Sequence, residues 1–419
     1  MAHRDCKSAR GGIAARGATA VRGVVTAWGG QFATVLMLVA ALCCGLWGCT
    51  NGGASSGSAA NSQASASASA SPAASSHATD SSSAASSPTH IVTDCDGRDV
   101  AVPDKVERIA CLYAYIGHVC VLLDSEDKIV AVVQGLKRDH LMERKIANIA
   151  DLPAPYTKGS VNIEELATVA PDLVLLRADL LQDAGEREKL DGLGVPYVVV
   201  DYTTAEDQIR SIEVMGESLG AQDRAKAYTD YYRATFDLVR ERVAAIPEDE
   251  RKTVFHSVNE VVRTDIPDTL SYEVLEVAGA NNVVHSSSEL QLDGDKGNAT
   301  VEQIYVWDPD VVLANEPAAT EYFKTDTKFS GLRAVHEGNV YQLPVGISRW
   351  AHPGSVESPI AALYVAKLLY PEQFADIDMV AETRDFYSRF FDIELSDEDV
   401  DSILSGTGMR DAREGNANR

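Results

Sequence analysis

The chain has 419 residues, 45% of them hydrophobic, and a formal charge of −25 at pH 7. So acidic a body excludes the broad basic surface that nucleic-acid binding requires. Its seven cysteines, none in a C-x-x-C pair, exclude a disulfide-framework protein.

Residues 1–30 carry five basic side chains (Arg4, Lys7, Arg10, Arg16 and Arg22) against one acid, Asp5, and no charge follows before Cys49, so the rest of the chain bears −29. The apolar core of the uncharged stretch, Phe32 to Trp47, is shorter than the ~20 apolar residues of a membrane span. It reads as the core of a signal peptide over residues 1–48, ending in Leu46-Trp47-Gly48-Cys49. That ending resembles a bacterial lipobox with Cys49 as the lipidation site, although Trp47 is bulkier than is usual there. Residues 49–88 follow as a flexible tether. Ser and Ala fill 27 of the 38 positions from 51 to 88, too little apolar surface to offset the entropy of ordering.

The globular part, from residue 89 on, alternates apolar runs with amphipathic stretches, which predicts α/β lobes. In the first lobe, residues 89–220, strands are expected at 108–112, 129–133, 173–176 and 197–200, and helices at 116–123, 183–193 and 205–219. Residues 221–246 contain no Gly or Pro and place Tyr228, Tyr231, Tyr232, Thr235, Val239 and Val243 near one helical face. They are expected to form a long helix between lobes. The second lobe, residues 247–419, has strands expected at 253–258, 311–313 and 340–343 and a helical tail.

An internal repeat supports two lobes of one design. The segment 159–176 matches 297–314, 138 residues later, without a gap; Gly159/Gly297, Glu164/Glu302, Pro171/Pro309 and Asp172/Asp310 are identical. In each copy Asn162 or Thr300 is placed to cap a helix, with Glu165 or Gln303 three residues on to complete a capping box.

Asp94-Cys-Asp-Gly-Arg-Asp-Val-Ala-Val-Pro103, the two repeats, and His352-Pro-Gly-Ser-Val-Glu-Ser-Pro359 together resemble the binding proteins for iron chelates, haem and corrinoids. The resemblance spans residues 91–404. It implies two Rossmann-like α/β lobes joined by a single long rigid helix, with the ligand in the cleft between them. It implies an extracytoplasmic, lipid-anchored, monomeric substrate-binding component of an ABC importer, serving a permease and its ATPase and touching membrane only through its lipid. The implied ligand is an iron complex, ferric siderophore or haem, with a corrinoid (vitamin B12) as the alternative; no catalytic role or resident cofactor is implied. Glu164 and Glu302 would dock onto the permease.

Ligands of such folds meet the C-terminal ends of parallel strands. The residues there are Tyr113, Tyr115 and His118, then Lys137 and Arg138, then Arg177, in the first lobe, and Arg263, Arg349, Trp350 and His352 in the second. Cations would hold carboxylates, and Trp350 would stack on a flat ring. His118 reads rather as a solvent-facing helix residue, and His256 as the interior of a strand. A lipid-anchored hydrolase or metal-dependent enzyme is the rival class. The chain contains no Gly-x-Ser-x-Gly between a strand and a helix, where a nucleophile elbow must sit, no His-Glu-x-x-His pair, and no spacing that converges several metal ligands.

Overall fold

The computed structural model describes residues 88–293 and 296–411. The predicted signal segment, Cys49 and the Ser/Ala tether fall outside the described residues. A hairpin comes first, β1 (Thr89–Thr93) pairing antiparallel with β2 (Asp99–Pro103). Its turn is built on one buried carboxylate. Asp94 accepts from the backbone N–H groups of Asp96 (3.0 Å), Arg98 (2.9 Å) and Val199 (3.1 Å), and from the Arg98 Nη2 (2.7 Å). Gly97 supplies the φ of 78° that the tight turn demands.

The first lobe holds a parallel sheet of β3 (Ile109–Cys111), β4 (Ile129–Ala131), β5 (Leu173–Leu176) and β6 (Tyr197–Val199), ordered β4-β3-β5-β6. The second holds β7 (Thr253–Ser257), β8 (Asn281–Asn282), β9 (Val311–Ala314) and β10 (Val340–Gln342), ordered β8-β7-β9-β10. Both sheets are therefore wired second-first-third-fourth in chain order. Shared wiring is what the sequence repeat requires. Every expected strand forms, several of them a residue or two shorter; β8, two asparagines, carried no apolar signal.

The repeat also explains itself physically. Ala170 and Asp308 take equivalent left-handed turns, with φ of 40° and 39°. The aspartate two residues later then does one job in both lobes: Asp172 accepts from the Glu107 N–H (2.9 Å) and Asp310 from the Thr253 N–H (2.8 Å). Each fixes the start of its lobe's first strand. The capping box is only half made. Asn162 accepts from the Glu165 N–H (3.2 Å) and Thr300 from the Gln303 N–H (3.1 Å), but among the described residues neither N3 side chain returns the bond.

Between the strands lie α1 (Ala114–Leu122), α2 (Ile163–Thr168), α3 (Ala184–Leu193), α4 (Ala205–Leu219), α5 (Gln222–Val243), α6 (Leu270–Val277) and α7 (Val301–Trp307). The chain closes with α8 (Ser358–Leu369), α9 (Met379–Phe391) and α10 (Asp397–Ser405). The long helix is shorter than the expected 221–246, with Ala221 and Ala244 as its caps. Its 22 residues span roughly 33 Å at 1.5 Å each. Ala225, Tyr228, Tyr232, Phe236, Val239 and Val243, three or four residues apart, form its buried stripe.

That stripe joins a core common to both sheets. Leu173 and Leu175 face this core while Val174 and Leu176 face an outer one, the period-two alternation of a strand covered on both sides. In the second lobe Val311 and Leu313 face the shared core and Val312 the outer one. The tail after α8 turns back onto the first lobe. Arg144 grips Asp399 with two hydrogen bonds (3.0 and 2.6 Å), and His140 and Arg138 exchange backbone bonds with Met409 and Asp411.

Truncating the hairpin's carboxylate leaves five donors without their acceptor, the Arg98 Nε (3.0 Å) among them. Asp94→Ala is expected to cost about 3–5 kcal/mol, as for breaking a buried ion pair from one side, read as a lowered urea midpoint with an unchanged slope.

Candidate functional site

The C-terminal ends of the two sheets face one cavity of about 400 Å³. The first lobe contributes Tyr113 after β3, Arg177 after β5, and Tyr202 and Thr203 after β6; the second contributes Val258 after β7, Arg263, the segment from Thr264 to Ser271, and His352 with Pro353. Tyr202 Oη donates to the Pro353 carbonyl (3.1 Å), tying the two sides together at the cavity wall. The Arg177 guanidinium lies 5.0 Å over the Tyr113 ring, with Nε 3.3 Å from Asp201. Burial alone would depress this guanidinium, but Tyr113, Asp201 and Asp179 outweigh it, and Arg177 stays charged. Arg263 has no carboxylate partner among the described residues.

Four of the nine expected ligand contacts therefore line one space: Tyr113, Arg177, Arg263 and His352. The other five do not. Tyr115 is wholly buried in α1, where its ring backs Tyr202 (centroids 4.6 Å apart) and its hydroxyl meets Ser211 (2.9 Å). Trp350 is also wholly buried, with Nε1 donating to Tyr387 (3.3 Å) and its ring edge-on to Tyr364, so it is core and has no face for a ligand. Lys137 is consumed by the carbonyls of Ala150 (3.0 Å) and Leu152 (2.6 Å). Arg138 donates to the Asp411 carbonyl. Arg349 sits behind the cavity wall, held by Asn259, Glu316 and His352.

His352 is the wall residue with the most unusual surroundings. Its Nδ1 accepts from the Gly354 N–H (3.0 Å), so the proton of the neutral ring is on Nε2. That Nε2 faces Arg349 Nη2 at 2.7 Å. Burial, with Arg349, Arg263 and His256 nearby, holds His352 well below its ordinary value, so the ring is neutral at neutral pH. Next to it, Asp265 lines the cavity while accepting from His256 Nδ1 (2.6 Å) and Ser271 Oγ (2.6 Å).

The loop carrying Arg349 and His352 is moulded by a buried acid. Glu357 accepts from the N–H groups of Ile347 (2.9 Å) and Ser348 (2.8 Å) and from the hydroxyls of Ser348 and Tyr387. His118 is not solvent-facing: it is buried, with Nε2 3.2 Å from Asp139, whose other oxygen pairs with Arg410. Burial, with the Arg410 guanidinium adding to it, outweighs the pull of Glu357 and pushes His118 down to about 3. Glu164 and Glu302 are exposed in the first turns of α2 and α7, at equivalent places of the two lobes. Among the described residues no three metal-ligating side chains converge.

A family model described as periplasmic binding protein matches residues 109–345, more than half of the chain. The chain belongs to the periplasmic binding protein family. It is the substrate-binding component of an ABC transporter, working outside the cytoplasm with permease and ATPase partners, and is not an enzyme. It is 24% identical to the molybdate-binding protein MolA of Haemophilus influenzae over 328 residues, 72% of this chain and 90% of MolA. It is 22% identical to the ABC transporter substrate-binding lipoprotein YvrC of Bacillus subtilis, over 68% of this chain and 87% of YvrC. Among solved structures, a periplasmic solute-binding protein from Veillonella parvula superposes with a TM-score of 0.65 at 24% identity, covering 75% of this chain and 97% of that one. MolA bound to molybdate also gives 0.65, at 20% identity over 73% and 99%. These structures share the periplasmic binding protein's two-lobed fold.

Two outcomes test the loop and the buried imidazole. A Cβ on Gly346 would lie 1.6 Å from the Tyr387 hydroxyl and 2.5 Å from Glu357, so Gly346→Ala is expected to cost about 1–3 kcal/mol by overpacking, measured by urea unfolding. His118 ordinarily titrates at 6.5 and in the fold at about 3. Unfolding therefore takes up a proton between those values, so this share of stability is complete above pH 6.5 and is lost as pH falls towards 3. His118→Gln is expected to flatten the slope of unfolding free energy against pH across that window.

Proposed function

We propose that this periplasmic binding protein captures an anionic iron complex, a ferric siderophore or haem, in the cavity between its lobes and delivers it to the permease. The observation that carries the reading is the pair of cations that reach the cavity from its two sides, Arg177 from one lobe and Arg263 from the other, with His352 in the wall beside them. Guanidinium groups bind carboxylates and similar oxyanions through paired hydrogen bonds. Tyr113, Tyr202 and the apolar Val258, Ile266 and Leu270 supply apolar wall, which suits an organic chelate, beside hydroxyl residues and the hydrogen-bonded Asp265. The size points the same way. At about 30 Å³ per water the cavity holds roughly a dozen waters' volume, more than a bare tetrahedral oxyanion fills.

Molybdate is the second reading, favoured by the similarity to MolA over most of the chain. Exposed Glu164 and Glu302, one per lobe, are the proposed contacts with the permease. Lipidation at Cys49 is the proposed anchor, in keeping with the name of YvrC as a lipoprotein.

Mixing the purified protein with ferric siderophores, haem or molybdate, followed by gel filtration, absorbance and metal analysis, decides between them. Iron co-eluting with a coloured complex is the expected result. Molybdenum retained without iron would establish the second reading, and retention of none would sink the anionic reading altogether. Arg177→Ala and Arg263→Ala are each expected to weaken binding by about 10- to 100-fold, the loss of a charged hydrogen bond, with unfolding midpoints little changed.

A further inference from the structure

Cys111 ends β3 and Cys120 lies on the following helix, α1; between them runs the turn that presents Tyr113 to the cavity. The two sulfur atoms are 3.8 Å apart, in mutual contact, and both side chains are wholly buried. The third described cysteine, Cys95, is only partly buried. Proteins of this family work outside the cytoplasm, where thiols held together in pairs are exposed to oxidation.

We propose that Cys111 and Cys120 are joined by a disulfide when the chain folds in that compartment, a covalent brace across the strand-to-helix turn that carries the ligand-facing Tyr113. The sulfurs need to close from 3.8 Å to about 2.05 Å, a movement of side-chain size. The oxidant is an external disulfide, as carried by thiol oxidoreductases of that compartment. One cysteine attacks a sulfur of the external disulfide, forming a mixed disulfide and releasing one thiol. The second cysteine attacks the mixed disulfide and expels the other. One disulfide is made and one consumed, and both thiol protons end on the reduced oxidant.

The fold also sets when this happens. In the folded dithiol, Cys120 and burial together push the Cys111 thiol well above its ordinary value. Thiolate, the attacking species, is therefore scarce once the core has closed. The bond forms while β3 and α1 are still accessible, and the closed core then shields it.

The test uses the full chain with its own first 88 residues, recovered from outside the cell and denatured in iodoacetamide without reductant. No Lys or Arg lies between Ile109 and Lys128, so trypsin leaves both cysteines on one peptide. That peptide is expected two hydrogens lighter than the dithiol and free of alkyl groups, with Cys95 alkylated. The same chain retained in the cytosol provides the doubly alkylated peptide for comparison. Two alkyl groups on the peptide from exported protein would overturn the proposal, and so would a peptide cross-linked to Cys95.

Discussion

The two sheets turn one face each towards a single apolar core, and α5 runs through it. Everything about the cavity depends on that arrangement. Tyr228 and Tyr232 fill the centre, and their hydroxyls do not go unmatched: Tyr228 donates to the Val356 carbonyl and Tyr232 to Gln208 (2.8 Å), which in turn donates to the Ser355 carbonyl (2.8 Å). A buried hydroxyl without a partner costs more than its bond would contribute. So the helix that joins the lobes also fixes the second-lobe backbone one turn away from His352. Arg177 and Arg263 are set across the cavity by packing rather than by contact with each other.

The site is thus supported in layers. Tyr115 and Trp350, which have the chemistry of ligand contacts, are used one layer down. Tyr115 holds Tyr202 from behind, and Trp350 with Tyr387 and Glu357 shapes the loop from Val345 to His352. The outer layer can then be sparse and cationic because the inner one is dense and neutralised. Glu357 illustrates the exchange: burial raises its pKa, while hydrogen bonds from the Ser348 and Tyr387 hydroxyls and the Ser348 N–H pull it back.

Much of this fold was legible in the sequence, because buried parallel strands need unbroken apolar runs and repeated lobes need repeated turns. Leu173–Leu176 and Val311–Ala314 announce themselves in that way. The site was legible only in part. Tyr113, Arg177, Arg263 and His352 follow strands and reach the cavity, and the same reasoning extended past β6 finds Tyr202 and Thr203. Thr264 to Ser271 was not legible, since Arg263–Thr264 is placed by pairing with Lys296–Asn298, a contact distant in sequence. Trp350 was misread for a similar reason. Its Arg-Trp-Ala-His-Pro-Gly setting has the composition of an exposed loop, and α8 and α9, packing on it through Tyr364 and Tyr387, make it core. Lys137 and Arg138 were claimed by neighbours that no local pattern reveals.

The return of the tail to the first lobe has a consequence for how the molecule is made. Asp139 pairs with Arg410, and the backbone of residues 138–140 bonds to residues 409 and 411. Those partners are the last of the described chain to be synthesised. The first lobe can collapse early around its own sheet, as amino-terminal domains do, yet its final edge waits for the carboxyl end. The wall of the first-made half is sealed by residues 409–411, so a translocation or synthesis arrested short of residue 409 leaves that edge open.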